Sequence, residues 1–202
     1  PLVDRVVLWT RLAPDPLAGG GMPPTDVPVI WEISKTPDFY EMVDYGVAPA
    51  LRELAHSVHV DVTGLEPNTW YFYRFRVGRQ WTSPLGRTRT LPRPDERIER
   101  FRIAAATCQN YQDGFYTAYD HMARDEVDLV AFLGDYIYEG GVSGSSPRQH
   151  EGPRVQTLDD FRNRYALYKS DENLQASHAR CPWLMTWDDH EVSNNYAGWE
   201  PD

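Results

Sequence analysis

The sequence predicts a β-sandwich followed by an α/β domain, and three observations carry that prediction. From about Val6 to Leu91, short apolar or β-branched runs are separated by turn-formers, which is the pattern of a sandwich. After Glu99 the order becomes strand, helix, strand, helix, strand, the layout of an α/β sheet. Between the two, Pro92-Arg93-Pro94-Asp95-Glu96-Arg97 is polar and proline-rich, as a boundary is. Residues 1–92 and 100–202 are therefore expected to be separate domains.

In the first half, Arg5-Val6-Val7-Leu8-Trp9-Thr10 reads as a strand, and so does Val29-Ile30-Trp31-Glu32-Ile33. Residues 57–62 alternate polar and apolar with period two, as a half-buried strand should, and residues 70–77 form a fourth run rich in aromatics. The turn-formers are Ala13-Pro14-Asp15-Pro16, Gly19-Gly20-Gly21 and Pro67-Asn68. The stretch from Thr63 through Tyr73 resembles the turn into a fibronectin type III-like strand, where a tyrosine anchors the corner.

In the second half, residues 101–106 read as a buried strand ending at Thr107-Cys108-Gln109-Asn110. Phe115, Tyr119 and Met122 follow at helical spacing. Residues 127–133 are a second strand, ending at Gly134-Asp135, and residues 140–152 form a Gly/Ser-rich loop expected to be exposed. Thr157, with Asp160 three positions on, suits the cap of another helix. Residues 182–187 are the third strand, ending at Asp188-Asp189-His190-Glu191.

Composition narrows the function. The 202 residues are 41% hydrophobic and 13% aromatic, enough for a real core and against wholesale disorder. The 20 Lys and Arg against 30 Asp and Glu give a net charge of −10, which repels nucleic acid and anionic lipid and argues against a passive binder of either. A phosphate-handling enzyme stays open, because bound cations reverse the local sign. No apolar run approaches the ~20 residues that span a bilayer, and no leader is visible. The chain opens without Met on Pro1-Leu2-Val3-Asp4 and stops abruptly at Trp199-Glu200-Pro201-Asp202, so it reads as a fragment cut at both ends.

The chemistry-bearing residues share a position. Cys108, Asp135 and Asp188-Asp189-His190 each lie just beyond the end of a predicted strand, and ligands of open α/β sheets sit in that crevice. Sulfur, carboxylate and imidazole are metal-ligand types. Each has a plainer reading: Cys108 as half of a disulfide with Cys181, Asp135 as a turn cap, and Tyr136 and Tyr138 as packing aromatics. Residues 188–191 could be a solvated acidic patch, and Asn194-Asn195 mere turn residues. Their gathering at three successive strand ends favours a site. Arg162, Arg164 and Lys169 could meet phosphate, but read better as a solvated helix face. No Ser or Thr sits in an activated setting, which disfavours a covalent phosphoenzyme.

Thr107-Cys108-Gln109, then Gly134-Asp135-Tyr136-Ile137-Tyr138-Glu139, then Trp187-Asp188-Asp189-His190-Glu191-Val192-Ser193-Asn194-Asn195 resemble the alkaline phosphatase D (PhoD) family of metallophosphoesterases. Residues 5–12 resemble the opening strand of that family's N-terminal sandwich. The resemblance covers nearly the whole chain and implies the sandwich plus a truncated first part of the α/β catalytic domain. It implies that Cys108, standing where the wider class ends its first strand in Asp-x-His, is an iron ligand. Asp135 would bridge two metals and Tyr138 would be a phenolate ligand to ferric iron. Asp189 and His190 fall where the wider class has Asn-His, a ligand to the second metal and a group near the phosphate, and are the expected catalytic residues. Asn195 would be a further ligand on the calcium side, with Asp188 and Asn194 beside it.

The implied cofactors are Fe(III), suited by thiolate and phenolate, and Ca²⁺, suited by oxygen donors. The implied function is hydrolysis of phosphate mono- or diesters by a metal-activated water, with no stable nucleic-acid binding and a secreted, periplasmic or cell-surface location. The family draws its remaining ligands, an Asp and a His among them, from a distal half that this chain lacks, so the fragment is expected to be inactive alone. Two alternatives remain: a phosphodiesterase of phospholipase D type at the same site, or a non-catalytic cell-surface binding module.

Overall fold

The computed structural model describes residues 1–198. The abrupt end read at residues 199–202, and with it the close of the 100–202 domain, lies outside the described residues. Two compact units make up the chain. One comprises Pro1–Asp15, Gly20–Phe101 and His178–Pro182; the other comprises Pro16–Gly19, Arg102–Ser177 and the residues from Trp183 onward.

The first unit contains β1 (Arg5–Arg11), β2 (Val27–Ser34), β3 (Met42–Ala50), β4 (Ser57–Thr63), β5 (Trp70–Val77), β6 (Trp81–Thr82) and β7 (Gly86–Arg89). β1 and β4 pair antiparallel, Arg5 opposite Thr63 and Arg11 opposite Ser57. The other sheet runs β3-β2-β5-β6, with β7 also on β5. Because side chains alternate along each strand, Val6 and Leu8 of β1 and Val58, Val60 and Val62 of β4 all face one way. They share a core with Val29 and Ile33 of β2 and Tyr71 and Phe75 of β5. Two sheets burying one another's apolar faces make a sandwich, and each such side chain contributes about 1.5–3 kcal/mol.

The anticipated corner is formed: the Glu66 N–H donates to the buried Tyr71 hydroxyl at 2.9 Å. β3, β6 and β7 were not anticipated. β3 is an edge strand whose Tyr45 and Val47 face outward, so no apolar alternation marks it. Its Pro49 is tolerated on an edge. Its Gly46 lies against Trp31, where a Cβ would stand 2.8 Å from the indole.

The second unit contains β8 (Ile103–Ala106), α1 (Thr117–Arg124), β9 (Leu129–Leu133), α2 (Leu158–Lys169), most of α3 (Glu172–Arg180) and β10 (Trp183–Thr186). The strands are parallel in the order β10-β9-β8, with Ile103 opposite Leu129 and Trp183 opposite Val130. Phe132, Tyr116, Tyr119, Tyr136, Ile137, Tyr168 and Leu174 form the core on one face. α2 starts as expected: the Asp160 N–H donates to the Thr157 hydroxyl at 3.2 Å, and the Thr157 N–H to the Asp160 carboxylate at 2.9 Å. This reciprocal pair satisfies two amides that the helix itself leaves open.

Three expectations need correction. β8 is not a buried strand, since Ile103 is 60% exposed and shares its open face with Leu133 and Leu184; a short apolar run does not reveal which face is covered. Phe115 precedes α1 and is exposed, because the helix begins only at Thr117. The 140–152 loop is not exposed throughout, for His150 within it is only 2% exposed. Among the described residues, no helix is long and apolar enough to cross a membrane.

Candidate metal centre

Three parallel strands end side by side, and the loops leaving them are tied together by backbone bonds. Beyond β8, the Cys108 N–H donates to Gly134 O and the Gln109 N–H to Asp135 O, each at 3.2 Å. Cys108 and Asp135 both adopt left-handed backbone, φ 54° and 56°, a conformation that non-glycine residues rarely hold without surrounding support. Gly134 is needed where it stands: its φ is 102°, and a Cβ there would come 2.5 Å from Cβ of Asp188.

The loop after β10 is fastened by Glu191. Its carboxylate accepts the N–H of Asp135 at 3.2 Å, that of Asp188 at 2.8 Å, and that of Tyr136. One carboxylate thus collects amides from two loops. Glu139 performs a similar task nearby, Oε2 lying 2.7 Å from His190 Nδ1 while Oε1 accepts the Asn194 N–H and an Arg154 guanidinium N–H, each at 3.0 Å.

These fastenings bring Asp135, Asp189 and His190 together, each offering a ligand atom within 4.8 Å of the others. The two oxygens of Asp135 face different groups. Oδ2 lies 3.5 Å from Cys108 Sγ and 3.1 Å from the Tyr138 hydroxyl, whereas Oδ1 accepts the His190 N–H at 3.4 Å. The Tyr138 ring also packs on the His190 imidazole, centroids 4.1 Å apart. Asn195 takes part through its backbone, donating its N–H to the Asp189 carboxylate from a left-handed φ of 59°. Asp188 and Asn194 are held by their own N–H groups, on Glu191 and Glu139.

The electrostatics follow from these contacts. Burial, then the hydrogen bond to Asp135, pushes the Tyr138 phenol above its ordinary pKa. Burial opposes the charge on both members of the Glu139–His190 pair. Burial is outweighed only by several effects together: the mutual hydrogen bond and the Asn194 N–H lower the carboxylate, while that bond and the charges of Glu139, Asp135 and Asp189 raise the imidazole. The Asn195 N–H lowers Asp189.

No disulfide joins Cys108, which is exposed, to Cys181, which is buried, so the disulfide reading is set aside. Arg164 is not part of a solvated helix face. It is 3% exposed and donates to the carbonyls of Tyr138 and, at 2.8 Å, Gly140. Lys169 is largely withdrawn from solvent, and burial lowers its pKa to about 8. Arg162 pairs with Asp159 at 3.2 Å. Glu139 and Glu191 carry no role that is readable from residue type, because a carboxylate beside other carboxylates looks like more of the same patch. Only the fold shows that these two accept N–H groups.

The residues brought together here could hold a metal ion, Asp135, Asp189 and His190 each offering a donor atom. A thiol and a phenol meet one oxygen of a buried carboxylate, the His190 backbone N–H meets the other, and Asp189 adds a second carboxylate.

A family model described as PhoD-like phosphatase matches residues 103–202, and one described as the PhoD-like phosphatase N-terminal domain matches residues 1–92. Alkaline phosphatase D of Bacillus subtilis (strain 168) is 53% identical over 207 aligned residues, covering 100% of this chain and 35% of that protein. A solved structure of PhoD matches with a TM-score of 0.96 and 54% identity over 100% of this chain and 40% of that one. The chain therefore spans well under half the length of the relatives it matches.

Proposed function

The chain belongs to the PhoD-like phosphatase family, and from that premise we propose that it contributes the N-terminal sandwich (1–92) and the first part of the catalytic domain (100–202) of a metal-dependent phosphoric ester hydrolase. The supporting observation is the surrounding of Asp135: Cys108 and Tyr138 lie at one oxygen, the His190 backbone N–H at the other, and the His190 and Asp189 side chains converge beside it. On this reading Cys108, Asp135 and Tyr138 would hold Fe(III), and Asp135, Asp189 and Asn195 would hold Ca²⁺. Cations bound there supply Lewis acidity toward phosphoryl oxygens and a water more acidic than bulk water.

The chain's own residues set the rest. Glu139 takes the Nδ1 side of His190, so Nε2 is the nitrogen left to meet a cation or hold a proton beside the phosphate. The Asn195 N–H holds the Asp189 carboxylate itself, and Glu191 holds the backbone that aims Asp135. With a net charge of −10, an anionic substrate is drawn in only once cations occupy the carboxylates. A location outside the cytoplasm belongs to the same reading, supported by the family alone.

The test is Asp135→Asn in the full-length protein, which keeps size and one oxygen but removes the charge. Metal content and turnover of a phosphate monoester should both fall, the latter by orders of magnitude, while the fold survives. Unchanged metal content and activity would leave Asp135 as a turn cap, where Asn serves equally well. Comparing monoester with diester turnover decides between phosphatase and phosphodiesterase.

A further inference from the structure

Tyr138 is gripped at both ends of its backbone by side chains of α2. Its N–H donates to the Tyr168 hydroxyl at 3.1 Å, and its carbonyl accepts from Arg164 Nη1. The Tyr168 oxygen accepts a second amide, that of Tyr111, also at 3.1 Å. With its lone pairs engaged, the hydroxyl proton has one remaining direction, toward His150 Nε2 at 2.9 Å. That requires a neutral His150 with its proton on Nδ1, where Gly140 O lies 2.8 Å away to receive it. Arg164 donates to the same carbonyl, so its charge stands beside the imidazole and favours the neutral ring.

Tyr168, His150 and Arg164 are all buried. Buried polar groups weaken a core unless every one is satisfied, and apolar residues of similar shape serve stability as well. Here the polar atoms converge on the short segment 138–140, which carries the phenol facing Asp135. Tyr136, two positions earlier, is held by other groups: its N–H donates to Glu191, its carbonyl accepts from Gln109 Nε2 at 2.9 Å, and its ring packs against Phe132 and Tyr165.

We propose that Tyr168, oriented by His150 and assisted by Arg164, is a positioning residue that fixes the backbone of Tyr138 so that its phenol meets the Asp135 carboxylate. This rests on the reading of Tyr138 as an iron ligand. None of the three need touch substrate or cation; they act through Tyr138.

The experiment uses the full-length, iron-loaded protein and p-nitrophenyl phosphate, with Tyr138→Phe as reference. Removing the phenol in Tyr138→Phe should abolish the tyrosinate-to-iron absorption. Tyr168→Phe should retain iron but shift that absorption, and should lower kcat about tenfold or more with KM within about twofold. If Tyr168→Phe lowers the melting temperature yet leaves absorption and kcat as in the wild type, the role is structural and the proposal falls. If instead Tyr138→Phe leaves the absorption intact, the ligand reading itself has failed, and the proposal with it. Should Tyr168→Phe not fold, His150→Gln and His150→Leu give the same decision. Gln keeps an acceptor for the hydroxyl and should restore the absorption and kcat that Leu loses; equal behaviour of the two overturns the relay.

Discussion

Oε2 of Glu139 lies 2.7 Å from Nδ1 of His190, and the same carboxylate holds the Asn194 N–H. Imidazole orientation and the start of the 194–195 turn therefore depend on one buried side chain. Glu139→Ala should lower metal affinity or turnover of the full-length protein about 10- to 100-fold, the usual effect of losing a group that orients a ligand. Metal titration with parallel kinetics measures it; wild-type values in both would refute the dependence.

Gly134→Ala tests the crossing of two loops. The substitution sets a methyl 2.5 Å from Cβ of Asp188 and demands a φ of 102° from an L residue. A loss of about 1–3 kcal/mol from backbone strain is expected, together with weakened metal retention. Urea unfolding and metal analysis of the purified variant supply both numbers.

Cys108→Ser tests the soft donor. If the thiolate is an iron ligand, the full-length protein should show a visible charge-transfer band that the serine variant bleaches or shifts. An unaltered spectrum at unchanged iron content would remove Cys108 from the ligand set.

Acid sensitivity should trace to His150. Burial, then the Arg164 charge, lowers its pKa from 6.5 to about 4, with backbone hydrogen bonds to Gly140 and Gly141 and then Asp113 opposing. A depressed folded pKa means that the unfolded chain binds the extra proton first. The associated stability is complete above about pH 6.5 and is lost as pH falls toward 4. At ~1.36 kcal/mol per pKa unit, about 3 kcal/mol is at stake. Urea midpoints between pH 4 and 7 should fall steeply on the acid side in the wild type and less so in His150→Gln.

Tyr71→Phe should weaken the sandwich by about 1–3 kcal/mol, because it leaves the Glu66 amide without its buried acceptor. Denaturant unfolding followed by the tryptophans of the first unit is the measurement, and a midpoint equal to the wild type's would count against the corner.

What was legible in the sequence was whatever local pattern encodes. Alternation in residues 57–62, the Thr157–Asp160 pair and the corner tyrosine each announce their element within a few positions. The placing of Cys108, Asp135 and Asp189-His190 was legible too, since a parallel sheet collects the ends of its strands on one side. Less visible was anything decided by distant neighbours. Arg164 looks like any helix-surface arginine until the 138–140 carbonyls are laid beside it, and His150 hides in a loop whose composition promises exposure. Asn195 was expected to act through its side chain, yet the contact seen is made by its backbone, which no residue type can signal.

The Glu191 bonds also set an order in time. Asp135 and Tyr136 lie 56 and 55 positions from the carboxylate that receives their amides, and Asn194 lies 55 from Glu139. Contacts of such separation must overcome the entropy of closing a long loop before they return any energy, so they form after local helices and turns. On a ribosome, Cys108, Asp135 and Tyr138 emerge well before the residues that fasten and complete their surroundings.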